Sequence, residues 1–211
     1  MLFKTDVANL ALGRLGVSLS IVDLETENSN QAKIIRRHLR MSLDTLLEAH
    51  DWSFASTNQA LALVQDYSNN LSASGGWRYA YSLPADCAVL REISRDGIFS
   101  RMNQYEDEKE KWEEYYSATG PAIYCDIADA YGRYTVRLND DFAFPTHFGR
   151  ALAAQLSMDI APSLIANNFA KVKDVINASA RNDINLAIAN DMGRQPMKDN
   201  SESPFLRIRG V

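Results

Sequence analysis

The sequence predicts an α+β fold: a helical bundle built from N- and C-terminal helices, with a small antiparallel β subdomain inserted between them. Two observations carry this. Apolar residues recur at helical spacing near both ends, through Ile35, Leu39, Leu43, Leu46 and Leu47, and through Phe169, Val172, Ile176, Ala180, Ile184, Ala187 and Ile188. Between them the period changes to two, most cleanly in Trp77, Tyr79, Tyr81 and Leu83. The expected division is 1–55 and 142–193 for the bundle, 56–141 for the β-rich insertion and 194–211 for an extended C-terminal tail.

Taken in order, Thr5 or Asp6 is the expected cap of a first helix through Leu15. Its apolar side is Val7, Leu10, Ala11 and Leu15, Gly16 ends it in a left-handed conformation, and Gly13 permits close approach of another helix. Ile21, Val22 and Leu24 anchor a connector. Ser29-Asn30 then starts the organising helix, which ends near His50-Asp51. Arg36, Arg37, Arg40, Asp44 and Glu48 occupy its polar side. Trp52 and Phe54 follow at strand-like spacing and should enter one core with Leu39, Leu43 and Leu46.

Residues 60–64 read as a strand, 68–76 as a loop, 77–83 as a second strand stopped by Pro84, and 88–94 as a third. Asp96-Gly97 signals a hairpin whose return strand begins at Ile98-Phe99. The charged run Glu106 to Glu114 reads as a short acidic helix or loop, pinned to the sheet by Trp112 and Tyr116. Gly120-Pro121 is a break. Residues 123–127 and 134–138 read as a further hairpin. His147 to Met158 is a helix, Pro162 suits the first turn of a next one, and 168–192 is long and amphipathic until Gly193.

Composition narrows the function. The chain has 211 residues, 46% hydrophobic and 23% charged, with a net charge of −5. An acidic chain is a poor general DNA binder, because phosphate affinity comes mainly from Lys and Arg displacing counterions. No apolar run approaches a membrane span, and the first residues lack a signal peptide's basic and apolar regions. Two cysteines, Cys87 and Cys125, are too few for a disulfide framework and form no CxxC pair.

The chemical inventory is thin. There is no P-loop, GxGxxG, HExxH or GxSxG. The three histidines, His38, His50 and His147, are widely spaced, and each reads as a surface or structural residue. Carboxylate pairs such as Asp140-Asp141 occur, but a glycosidase needs two held across a cleft at a defined separation. The expectation is therefore no catalytic residue, no metal ligand, no cofactor and no enzyme activity.

Several short motifs, in order, give the chain a likeness. They are Asn9-Leu10-Ala11-Leu12-Gly13-Arg14-Leu15-Gly16, then Leu47-Glu48-Ala49-His50-Asp51-Trp52-Ser53-Phe54-Ala55, Leu61-Ala62-Leu63, and Tyr79-Ala80-Tyr81-Ser82-Leu83-Pro84-Ala85-Asp86-Cys87. Together they resemble the tail tubular protein A and head-to-tail adaptor family of short-tailed bacteriophages, over about residues 5 to 190. The resemblance implies the same bundle with a β insertion. It also implies a structural virion protein of the neck or tail, assembled in the host cytoplasm, whose twelve-subunit ring joins portal to tail. Its implied partners are the portal protein, the tail nozzle or tail tube protein and further copies of itself. Genomic DNA would pass through the channel without specific binding, and an acidic wall suits that passage.

A closed ring needs a heterologous interface. The candidates are Arg36, Arg37 and Arg40 on one side and Glu106, Glu108 and Glu110 on the other. The tail is locally basic and ends in an alternating apolar and basic segment, so Arg194, Lys198, Phe205, Leu206, Arg207, Ile208 and Arg209 are the expected portal-docking residues. The alternatives are a cell-wall (peptidoglycan) hydrolase carried on a tail, using two carboxylates, and a DNA-binding packaging protein built on the helices.

Overall fold

Ser29 marks where the irregular connector becomes a helix: its hydroxyl accepts from the Ala32 amide, satisfying one of the helix's orphan donors. The computed structural model describes residues 1–99, 110–118, 120–139 and 142–194. Four helices run through them, α1 (Lys4–Arg14), α2 (Asn30–Ala49), α3 (Thr146–Leu164) and α4 (Ala166–Met192). One antiparallel sheet has three strands in the order β1 (Ser56–Ala60), β7 (Tyr131–Val136), β4 (Cys87–Ser94). The other has four, in the order β2 (Ala62–Asp66), β3 (Tyr79–Ser82), β6 (Gly120–Cys125), β5 (Trp112–Ser117). The protein is α+β.

Buried apolar side chains form two clusters. The first draws on all four helices, together with Ile21 and Leu24 of the connector, Trp52, Ala55, Leu138 and Phe144. The second draws on both sheets: Leu61, Leu90, Ile93 and Tyr134 meet Tyr81, Ile123 and Cys125. Leu61 sits between β1 and β2, where the chain passes from one sheet to the other, and its amide donates to the Ala130 carbonyl at 2.8 Å. Gly132 of β7 makes room for it, since a Cβ there would stand 2.9 Å from Leu61 Cδ2 and 3.1 Å from Leu90 Cδ1.

The organising helix follows its sequence closely, with Ile35, Leu39, Leu43, Leu46 and Leu47 all buried. Trp52 is completely buried, and Phe54 packs half-buried against the same cluster. They converge through a turn rather than a strand, closed by the Ala55 amide on the Trp52 carbonyl. Both rings meet Phe148 of α3 edge-on, each with centroids 4.9 Å apart. The Trp52 indole N–H donates to the Leu46 carbonyl at 2.7 Å.

Elsewhere the structure corrects the expectations. Helix α1 starts at Lys4, because the Asp6 carboxylate caps from inside the first turn by accepting from the Phe3 amide. Thr5 instead accepts from the Leu24 amide. Its buried face includes Ala8 and Leu12, while Leu10 is exposed. A Cβ on Gly13 would meet nothing within 4 Å, so no helix approaches there; Gly16 does adopt φ +70°. Val22 is 90% exposed between the buried Ile21 and Leu24.

The expected strand 60–64 is two strands belonging to different sheets, broken at the buried Leu61. Asp96-Gly97 does make a turn, with Asp96 Oδ1 accepting from the Ile98 amide, but β4 pairs with β7 and Ile98-Phe99 lies in no strand. Residues 112–114, read as the end of an acidic helix or loop, form strand β5 together with 115–117. Its two glutamates, Glu113 and Glu114, stand between aromatics: Trp112 packs on the second core, while Tyr115 stacks on Tyr124 of β6 at 3.9 Å. Tyr116 is 88% exposed and pins nothing. Gly120-Pro121 opens β6 rather than breaking the sheet. The expected hairpin of 123–127 with 134–138 does not form, since β6 pairs with β3 and β5 and β7 with β1 and β4. Pro162 lies within α3, near its end, where it leaves the Met158 carbonyl without the amide it would otherwise accept from; α4 follows after Ile165 alone.

Candidate functional site

Three side-chain assemblies hold the polar groups of interest. The first joins helix α2 to the sheet. Arg91 of β4 sends Nη2 to the carbonyls of Leu47 (2.8 Å), Glu48 (3.1 Å) and His50 (2.9 Å), and Nε to Thr135 Oγ1. Those carbonyls end α2 and have no helical partner, so Arg91 acts as its C-terminal cap and opposes its dipole. Burial pushes the Arg91 guanidinium below its usual range, with Asp51 opposing. Beside it, Arg133 of β7 bridges Asp51 and the buried Glu92, the latter at 2.9 Å. Both carboxylates are held by one guanidinium, an ion-pair bridge rather than an acid and a nucleophile set across a cleft.

The second assembly centres on Asp191, fully buried at the end of α4. It accepts from the Ser53 amide (3.0 Å), the Ser53 hydroxyl (2.6 Å) and His50 Nε2 (3.1 Å). Burial drives its carboxyl up, but the hydrogen bonds from Ser53 and His50 outweigh it and hold the carboxyl below its usual range. His147 Nε2 stands 3.8 Å from Asp191 Oδ1. Burial first, then the charge of Arg194, push the His147 imidazole down, against the pull of Asp191. Serine, histidine and aspartate meet here without forming a nucleophilic triad. Ser53 gives its proton to the carboxylate and not to a histidine base, so the hydroxyl is not activated. The assembly ties the end of α4 to the exit of α2.

The third is a cleft of about 340 Å³ between the start of α3 and the end of α4, lined by Thr146, His147, Arg150, Asp183, Asn190 and Arg194 among others. Asp183 is neutralised by Arg14 of α1 at 2.6 Å.

The candidates from sequence fall unevenly among these. Arg36 is committed within the chain, donating to the carbonyls of Leu24, Glu25 and Glu27 and so fastening the connector. Arg40 holds Asp44 at 3.3 Å and the Leu138 carbonyl at 3.2 Å. Arg37 is exposed, and among the described residues it has no partner. Glu110 is partly buried and pairs with Arg95 at 3.4 Å. Glu106 and Glu108 lie outside the described residues, as do Lys198, Phe205, Leu206, Arg207, Ile208, Arg209 and the Asp140-Asp141 pair. Of the expected docking tail only Arg194 is described, exposed at the cleft. Sequence reading missed Arg91, Arg133, Ser53 and Asp191, whose partners are distant in the chain and leave no local spacing to detect.

Burial pushes the Cys87 thiol up to about 11 and raises that of Cys125 as well, the reverse of what a nucleophilic thiolate needs. Among the described residues no group of His, Cys, Asp and Glu is placed to hold a metal ion, and no helix is long and apolar enough to cross a membrane. Comparison with protein-family models and with curated proteins finds no match for the chain.

Proposed function

We propose that this chain is the subunit of a head-to-tail adaptor ring, a structural virion protein that joins portal to tail and lines the DNA channel. The observation that carries the reading is where the two most specific resembling motifs fall. Residues 47–55 are the exit of α2, with Trp52 buried among the helices and Ser53 holding Asp191. Residues 79–87 are β3 and the start of β4, the strand from which Arg91 reaches back to cap α2. A connector passing force between portal and tail needs such a joint, in which helical and β parts move together.

In this reading residues 1–55 and 142–193 are a helical bundle, 56–141 an inserted β subdomain and 194–211 the tail that docks on the portal. The ring closes about twelve copies through a heterologous interface. Arg37 is the arginine of α2 with a free charge to offer a neighbour, while Arg36 and Arg40 hold their own subunit together. Glu106, Glu108 and Glu110 are the acidic side. The protein works without catalysis, metal or cofactor, and a tail nozzle or tube protein binds the far face.

The experiment is cosedimentation with portal rings of the full chain and of a chain ending at residue 194. The full chain should bind stoichiometrically and the truncated chain should fold but lose binding. Unchanged affinity of the truncated chain would move docking to the helices. No binding of either, with peptidoglycan turnover or salt-sensitive duplex binding instead, would replace the adaptor reading.

A further inference from the structure

We propose that neighbouring copies of this chain join edge to edge, strand β5 of one pairing antiparallel with strand β2 of the next. The inference rests on the adaptor reading, to which it adds a contact between ring neighbours. A ring of like copies needs one surface that fits a different surface on the neighbour. The four-stranded sheet carries such a pair. Its outer strands are β2 and β5, and among the described residues no further strand pairs with either. Each successive pair, β2 with β3, β3 with β6 and β6 with β5, is antiparallel. The two edges therefore run in opposite directions, and a copy set beside the first after a small rotation continues the antiparallel alternation. The three-stranded sheet offers no such continuation. Its outer strands, β1 and β4, are both antiparallel to β7 and so run the same way.

The side chains give a second, independent reason. Leu63 pairs with Tyr81, Tyr81 with Ile123 and Ile123 with Glu114, so all four project from one face of the sheet. Tyr81 and Ile123 are buried there in the second core. Tyr116, two residues beyond Glu114, belongs to that same face. Yet Leu63 is 55% and Tyr116 88% exposed, because the sheet ends beside each of them. Strand β2 is exposed along its whole length although it carries Leu63 and Val64. Pairing the edges with Leu63 opposite Tyr116 keeps both on one face, where each covers the other and the second core runs on into the next copy. Asp66 on one edge and Glu113 and Glu114 on the other repel. The contact is therefore weak between free copies and forms where a portal gathers them.

The test mixes two full-chain variants, Leu63→Cys and Tyr116→Cys, binds the mixture to portal rings and adds a short bismaleimide. The unaltered chain, which keeps Cys87 and Cys125, sets the background. Copies held edge to edge react at an effective concentration far above the bulk one, so dimer joined between positions 63 and 116 should exceed the yield of either variant alone at least about tenfold. Asn58→Cys, on the exposed part of β1, mixed with Tyr116→Cys should stay at background. Hydrogen exchange of the unaltered chain reads the same contact without a variant: amides of β2 and of β5 should slow together on the portal. A ring that forms without the mixed dimer, or with exchange in either strand unchanged, overturns the edge contact and leaves the adaptor reading standing. Linkage of each variant to itself in place of the mixed dimer overturns it too, since the contact would then be isologous. If the portal binds nothing, the adaptor reading fails. The same mixture at high concentration without portal then decides the contact alone: the mixed dimer upholds it and its absence overturns it.

Discussion

Trp52 is the residue on which the helical core closes. It is fully buried, hydrogen-bonded to the Leu46 carbonyl, and in ring contact with His50, Phe54 and Phe148. Trp52→Ala leaves a cavity and strands that carbonyl, and it should cost about 3–5 kcal/mol in urea unfolding. A midpoint equal to the unaltered chain's would place Trp52 outside the core. A second residue-scale prediction concerns pH. His147 is held neutral in the folded chain, while the unfolded chain protonates it near the ordinary value of 6.5. Below that value the unfolded state binds more protons. Stability is thus full above it and falls with pH until the lower folded value is passed. Asp191 acts in the same direction further down. Its depressed carboxyl contributes stability above its ordinary 3.8, lost as pH falls through the folded value. His147→Phe should reduce the first slope and keep the second, read from denaturant midpoints in steps from neutral to acid. Equal slopes in both proteins would mean His147 protonates as freely folded as unfolded. Residue identity alone told little of this: Arg36, Arg37 and Arg40 look alike in sequence, and only the fold shows that two of them are spent inside the subunit.

Among the elements, α2 was fully legible because its information is local: a serine cap, one apolar stripe and an aromatic exit. The strands were legible as alternating segments but not as partners. Pairing depends on contacts between distant residues, so the turn at Asp96-Gly97 suggested a hairpin that the sheets do not use, and Gly120-Pro121, read as a break, opens a strand paired with β5. A single apolar run at 60–64 concealed a change of sheet at Leu61. The Arg91 cap joins these elements, and it predicts a coupling between them. Arg91→Lys keeps the charge but cannot reach three carbonyls and Thr135 with one planar fork. It should cost about 1.5–3 kcal/mol and increase amide exchange in the last turn of α2. Exchange rates unchanged at Leu47 to His50 would show that α2 ends stably without the sheet.

At the scale of the whole molecule, the α+β character followed from periodicity alone, while the adaptor reading rests on ordered motifs. Their physical content became visible only when 47–55 and 79–87 fell on either side of the α2 and β4 joint. The chain is acidic overall, at −5, and among the described residues most large apolar side chains are covered within one subunit. Exposed apolar residues such as Val175 and Leu186 lie on α4 about three turns apart. Self-association should therefore be weak and assembly driven by the partner, as a population shift toward the ring-competent state. The most direct measurement is the native mass of the purified protein at low micromolar concentration, alone and after addition of portal rings. The account predicts a species near 23.6 kDa alone and about twelve copies on each portal. A stable ring without portal would contradict partner-driven assembly, and a portal that leaves the protein monomeric would contradict the adaptor function itself.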